Sequence, residues 1–258
     1  MKNVIVANLQ PNGKNNFNQL TTMIQAQLDN SLSLNWAPED LVLITNFNFQ
    51  YRGVSAIAAP LNEFCLTGSK IFALKWLLDS NILAKDEVVF MHDLDAWQNV
   101  EFECPEFEDA GACYYSRPKF NGGVNFWKLS AKDIVNEIVD RIKTNKSEKE
   151  EPAIDAVFKS KKFKDRVTVL DYGFNLGCSG YVVRYTKAEK PIKMLHFHPT
   201  NRIAVETHLL DRNGLDEFAC TSRLEKILRK YYPHFATELS ADGKQAQTER
   251  RANRLANS

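Results

Sequence analysis

The chain has 258 residues, 44% hydrophobic and 25% charged, with a formal net charge of +1. That is a globular composition, long enough to bury a large core without metal or disulfide staples. The 11 glycines and 9 prolines exclude a collagen-like or low-complexity chain, and near-zero net charge gives no general reason to expect a scavenger of polyanions or membranes.

In chain order, residues 4–7 form an apolar run closed by Pro11-Asn12-Gly13, a turn signal. Phe17, Leu20, Met23, Ile24 and Leu28 then recur at helical spacing. Residues 41–45 are a second β-branched run, followed by a polar, aromatic loop from 46 to 52. Ser69 is placed to cap a helix carrying Ile71, Phe72, Leu74, Leu77 and Leu78. Residues 87–91 make a third strand. Solid apolar strands alternating with helices predict a mostly parallel α/β sheet covered on both faces. Further on, strands are predicted at 112–115 and 124–129, flanking Phe120-Asn121-Gly122-Gly123 as a turn. Ser130 precedes a helix with Ile134, Val135, Ile138, Val139 and Ile142 on one face, and Glu151-Pro152 opens a short helix through Phe158. Short strands are predicted at 167–170, 181–185 and 194–197, and a late helix around Leu224, Ile227, Leu228 and Tyr231, with a polar, basic tail from Ala241. The expected division is a domain over 1–212 and a helical C-terminal extension over 213–258.

The five cysteines (Cys65, Cys104, Cys113, Cys178, Cys220) are widely spaced with no C-x-x-C, which argues for reduced thiols rather than a disulfide framework or thiolate zinc site. The apolar run at the N-terminus is too short for a signal peptide and no stretch has the length of a membrane helix. A cytoplasmic protein without an integral membrane segment, bacterial or virus-encoded, is the expectation.

The strongest chemical signal is Val88-Val89-Phe90-Met91-His92-Asp93-Leu94-Asp95. In extended backbone, residues i and i+2 point to one side, so Asp93 and Asp95 are predicted to converge at the carboxyl end of a strand, where open α/β sheets bind ligands. Paired carboxylates there suit Mg²⁺ or Mn²⁺, which complete their shells with substrate phosphates. A second run, Met194-Leu195-His196-Phe197-His198-Pro199, puts two imidazoles on one face, at least one of them functional. In Phe120-Asn121-Gly122-Gly123-Val124 the missing Cβ atoms let the backbone approach a ligand closely or take positive φ, a tight turn being the simpler reading. No P-loop, dinucleotide fingerprint or nucleophile elbow occurs, so a nucleotide enzyme built on this chain has to grip diphosphate through a metal.

In this order, the segments resemble the nucleotide-sugar glycosyltransferases of the GT-A fold, especially the retaining families related to glycogenin and the galactosyltransferases. The resemblance runs from about Val4 to Pro199. It comprises the first strand, the helix beginning Ser69-Lys70, the Asp93-Leu94-Asp95 motif, Phe120-Asn121-Gly122-Gly123-Val124 for the family's F-N-[SA]-G-V, an acidic helix start near Asp155, and His196-Phe197 for the family's H-F. The family's H-F-x-G becomes His196-Phe197-His198-Pro199, and its D-Q signature is reduced to Ile154-Asp155-Ala156.

The resemblance implies a Rossmann-like mixed sheet flanked by helices and transfer of a sugar, with retention, from a nucleoside-diphosphate sugar, a UDP-sugar foremost, to a hydroxyl. It implies that Asp93, Asp95 and His196 hold Mn²⁺ or Mg²⁺. Asn8, Arg52, Lys70, Arg117 and His198 would contact the donor, and Asn121, Gly122 and Asp155 would face the transferred sugar and the incoming hydroxyl. Basic stretches at 161–166, 223–230 and in the tail leave two acceptor classes open, a glycan (lipid-linked or lipopolysaccharide sugars included) and a hydroxymethylated base in phage-type DNA. The alternatives are a sugar-phosphate nucleotidyltransferase and a non-catalytic module that binds nucleotide or carbohydrate.

Overall fold

The computed structural model describes residues 1–10, 16–61, 68–116, 119–144, 149–177, 181–197 and 220–233, the side chains at 115, 116, 181 and 182 excepted. The strands are β1 (Lys2–Ala7), β2 (Leu41–Thr45), β3 (Gln50–Tyr51), β4 (Val54–Ser55), β5 (Ile57–Ala58), β6 (Val89–His92), β7 (Ala96–Gln98), β8 (Ala110–Ser116), β9 (Lys119–Trp127), β10 (Val167–Leu170), β11 (Leu176–Gly177) and β12 (Met194–His196). The helices are α1 (Phe17–Leu32), α2 (Ser69–Asp79), α3 (Lys132–Thr144), α4 (Glu150–Phe158), α5 (Tyr181–Lys187) and α6 (Ser222–Tyr231).

Seven strands form the central sheet in the order β10-β8-β9-β6-β1-β2-β5. Only β9 runs against its neighbours; the rest share one direction. The side-chain period of two decides how the faces are covered. Val4, Val42, Ile44, Val89 and Met91 turn to one face, where they pack with Ile71, Leu74 and Leu77 of α2 and with the apolar stripes of α3 and α4. Ile5, Ala7, Leu41 and Leu43 turn to the other, under Leu20, Ile24 and Leu28 of α1. Strands filled on both faces read as solid apolar runs. Because α1 and α2 cover opposite faces, the chain winds away from β1 in both directions and leaves a crevice at the carboxyl ends of β1 and β6.

A second sheet of three strands, β11-β12-β7, lies at that end. Its core contains Trp97, Leu176 and Leu195, with Tyr185 of α5 and Leu224 and Leu228 of α6. The described part of the expected C-terminal extension is therefore packed against the rest of the protein. The Arg223 guanidinium donates to Asn30 Oδ1 at 2.7 Å and to the Gln98 carbonyl at 2.9 Å. Lys230 Nζ and Tyr231 Oη both donate to Asp29 Oδ2 on α1 at 2.6 Å.

Three local expectations are corrected. Tyr181–Lys187 is a helix, not a strand; its β-branched run misleads because buried Arg184 ties the helix to the sheet by donating to the Gly177 carbonyl at 2.8 Å. Gly68, not Ser69, is the N-cap of α2, with no side-chain cap. Phe120-Asn121-Gly122-Gly123 lies inside β9 rather than in a turn.

Arg166 joins the start of β10 to α3, with Nε 2.5 Å from Asp109 Oδ2 and its terminal nitrogens 2.6 and 2.8 Å from the Asp133 carboxylate. Arg166 and Ser130 hold Asp109 below the usual carboxylate range against the opposing effect of burial, and the hydrogen bonds from Arg166 lower Asp133. A depressed folded-state pKa contributes stability above the unfolded value and loses it as pH falls through the folded value. Arg166→Ala is therefore expected to lower the melting temperature at neutral pH, and the deficit to shrink as pH falls below about 4; thermal melts across that range check it.

Candidate metal site

β6 ends at His92, and the chain turns immediately. The Ala96 amide donates to the Asp93 carbonyl at 3.0 Å, and the Asp93 amide to the Gly123 carbonyl of β9 at 2.8 Å. Asp93-Leu94-Asp95 is thus a turn rather than extended strand, so the two carboxylates converge through the turn and not through the pleat. Gln27 of α1 fixes this turn, its Nε2 donating to the Leu94 and Ala96 carbonyls at 2.7 and 3.0 Å.

β7 then pairs antiparallel with β12, Ala96 opposite His196. The Phe197 amide donates to the Asp95 carbonyl at 2.9 Å, and Trp97 Nε1 to the Phe197 carbonyl at 3.0 Å. This pairing brings a histidine from late in the chain beside the acids. His196 Nε2 lies 3.2 Å from Asp95 Oδ1 and 3.6 Å from Asp93 Oδ2, and one ligand atom from each of Asp93, Asp95 and His196 lies within 4.8 Å of the others. Two carboxylate oxygens and one imidazole nitrogen at this spacing suit Mn²⁺ or Mg²⁺.

The group sits at a cavity of about 680 Å³, lined also by Leu20, Met23, Ser69, Asn121, Gly122 and Gly123. Lys70, from the first turn of α2, reaches in with Nζ 2.5 Å from Asp93 Oδ1 and 3.3 Å from Glu150 Oε1, and donates to the Gly122 carbonyl. Burial would lower the Lys70 pKa, but the charges of Asp93 and Glu150 outweigh it and raise the pKa instead. Burial raises Glu150, helped by Asp93 and opposed by Lys70. For His196, burial works to lower the pKa, but Asp95 and Asp93 prevail and raise it, favouring the imidazolium that their negative charge demands. His92, buried behind the turn, is pushed down to about 4 by its burial; its Nε2 lies 3.0 Å from Asn3 Oδ1. Asp93, Asp95, Glu150 and Glu151 face the cavity against Lys70 and Lys149, an acidic surround that disfavours a bare anion and favours a cation.

Gly123 admits the histidine. A Cβ built there would lie 2.7 Å from Asn121 Oδ1 and closer still to the His196 ring. Gly123 therefore makes room for a protein side chain.

Of the residues singled out from sequence, Lys70, Asp93, Asp95, Asn121, Gly122 and His196 meet at this cavity. Asn8, Arg52 and Asp155 are not among the residues that line it. Asn8 Nδ2 donates to the Leu61 carbonyl at 3.1 Å, and Arg52 lies on the β3–β4 turn with Nε 3.0 Å from Asp29 Oδ1. Asp155 accepts from the Phe120 amide at 2.8 Å and pairs with Lys159 at 2.7 Å, bracing β9 against α4. Arg117 and His198 lie outside the described residues. Sequence reasoning misses Glu150, which falls in a charge-rich stretch (143–151) that reads as an exposed loop, and Asn175, which no motif marks; Glu151 reads only as an acid complementing a helix start.

The architecture is the fold of the GT-A glycosyltransferases. Among solved structures the chain is similar to the galactosyltransferase LgtC in complex with donor and acceptor sugar analogs, at 14% identity and a TM-score of 0.57, over 89% of this chain and 96% of that one. It is also similar to the glycosyltransferase GlyE of Streptococcus pneumoniae, at 16% identity and a TM-score of 0.53, over 90% of this chain but only 64% of GlyE. No family model and no curated protein matches the sequence.

Proposed function

We propose that this chain is a metal-dependent glycosyltransferase that moves a sugar, with retention of configuration, from a nucleoside-diphosphate sugar, foremost a UDP-sugar, to a hydroxyl of a glycan acceptor. The observation that carries the proposal is the convergence of Asp93, Asp95 and His196 at the mouth of an acidic cavity at the carboxyl end of β6. A diphosphate enters such a cavity only with a cation, so the same acids that would repel the free anion recruit it once a metal is bound.

Asp93, Asp95 and His196 would hold Mn²⁺ or Mg²⁺. When bound, the ion supplies Lewis-acid stabilisation of the charge that gathers on the departing diphosphate. Lys70 holds the Asp93 carboxylate from the far side and fixes the Gly122 carbonyl. Asn121 and Gly122 face the transferred sugar. Glu150 and Glu151, rather than Asp155, are the cavity carboxylates in place to accept the proton of the incoming hydroxyl or to contact the sugar. Retention rests on the likeness of the Phe120-Asn121-Gly122-Gly123-Val124 and His196-Phe197 segments to retaining families. Among the described residues nothing supports a DNA acceptor: Arg166, Arg229 and Lys230 of the basic stretches pair with Asp133, Glu225 and Asp29, and the basic tail from Ala241 lies outside the described residues. Among the described residues no helix is long and apolar enough to cross a membrane.

With UDP-glucose or UDP-galactose and Mn²⁺ but no acceptor, the protein is expected to release UDP slowly, and EDTA to stop it. Release of pyrophosphate from a nucleoside triphosphate instead would make it a nucleotidyltransferase. A melting temperature raised by ligand, with no turnover, would make it a binding module.

A further inference from the structure

Asn175 follows the turn Tyr172–Phe174 and is 1% exposed. Its amide lies between Asn121 and His196, with Nδ2 2.7 Å from Asn121 Oδ1 and Oδ1 3.0 Å from His196 Nδ1. Amide and imidazole orientations are settled by the network around them, and this network starts from a group that cannot be flipped. The Gly123 main-chain N–H donates to Asn121 Oδ1 at 2.6 Å, so that atom is an oxygen. The other end of the same amide donates from Nδ2 to Glu151 Oε1 at 3.2 Å, which agrees. Asn175 must therefore present its NH₂ to Asn121 and its oxygen to His196. An amide oxygen only accepts, so His196 must carry a proton on Nδ1.

We infer that Asn175 is a positioning residue: it holds His196 in the Nδ1-protonated form and so leaves Nε2, the nitrogen facing Asp93 and Asp95, as the one that binds a metal. Outer hydrogen bonds of this kind set the tautomer and ring orientation of a ligating histidine. The relay runs from the Gly123 main chain through Asn121 and Asn175 to His196, so the strand that carries the sugar-facing residues also sets the histidine. The metal-binding half of the inference rests on the proposed function; the tautomer half does not.

Two measurements test it. In metal-free protein at alkaline pH the neutral His196 ring carries one proton, for which Asn175 at Nδ1 competes with the carboxylates at Nε2. Long-range ¹⁵N–¹H NMR should show an Nδ1–H population in wild type that Asn175→Leu loses, and the same tautomer in both overturns the inference, whatever the protein binds. Mn²⁺ titration followed by electron paramagnetic resonance should then show Asn175→Leu, which cannot accept, binding about 10- to 100-fold more weakly than wild type. Asn175→Gln, which keeps both an accepting oxygen and a donating NH₂, should keep the Nδ1 proton and recover most of that affinity. Equal Mn²⁺ affinity in wild type and Asn175→Leu overturns the positioning role, as does a Gln variant no better than Leu. Should Asn175→Leu fail to fold, Asn175→Ala makes the same comparison against wild type and Asn175→Gln. A folded wild type showing the Nδ1 proton but no Mn²⁺ binding would overturn the metal reading of the site and confirm the tautomer relay.

Discussion

Asp95→Ala is expected to cut Mn²⁺-dependent release of UDP from a UDP-sugar by at least about 100-fold, the scale of loss when one group stabilising developing charge is removed. The substitution removes a carboxylate oxygen lying 3.2 Å from His196 Nε2. It leaves the backbone untouched, because the link between β7 and β12 at this point uses the Asp95 carbonyl and not its side chain. The side chain is about one-third exposed, so the melting temperature should move little while Mn²⁺ affinity falls. Loss of turnover together with a collapse of stability would make Asp95 a structural residue; unchanged turnover would remove it from the chemistry.

The second large effect falls on stability. Lys70→Met is expected to destabilise the protein by about 3–5 kcal/mol, because it strands a buried charge. Lys70 and Glu150 are each only 12% side-chain exposed and lie 3.3 Å apart, with Asp93 completing the group. A methionine fills the volume but supplies no cation, so Glu150 must stay charged and unpaired or take up a proton. Adding Glu150→Gln should restore most of the loss, since removing both partners of a buried pair costs far less than removing one. Urea unfolding of both single variants and the double variant measures this; independent, additive effects would show that Lys70 and Glu150 do not act as a pair.

The residues that were legible in the sequence are those whose physics is local. Val89, Phe90 and Met91 are buried on both faces, and a solid apolar run says so; carboxylates that follow such a strand stand at its open end whatever the rest of the chain does. The exact route was not legible. Asp93 and Asp95 converge through a turn that Gln27 and Gly123 pin from elsewhere, and His196 arrives only because β7 pairs with β12. Arg52 and Asn8 are absent from the cavity lining for the same reason. Their partners, Asp29 in the last turn of α1 and the Leu61 carbonyl, are chosen by tertiary packing. The glycines of β9 suggested a tight turn or close approach to a ligand; they lie within a strand, and what approaches Gly123 is the His196 ring. Tyr181–Lys187 shows the limit of propensity, since a β-branched run became a helix where a buried arginine could hold it to the sheet.

The most direct measurement is the anomalous diffraction of a crystal soaked in Mn²⁺ and UDP, collected at the manganese edge. A single strong peak bounded by the Asp93 and Asp95 carboxylates and His196 Nε2, with diphosphate oxygens on its open side, is the predicted result. A peak elsewhere, or a diphosphate held in the cavity by lysines with no metal beside the acids, would contradict it.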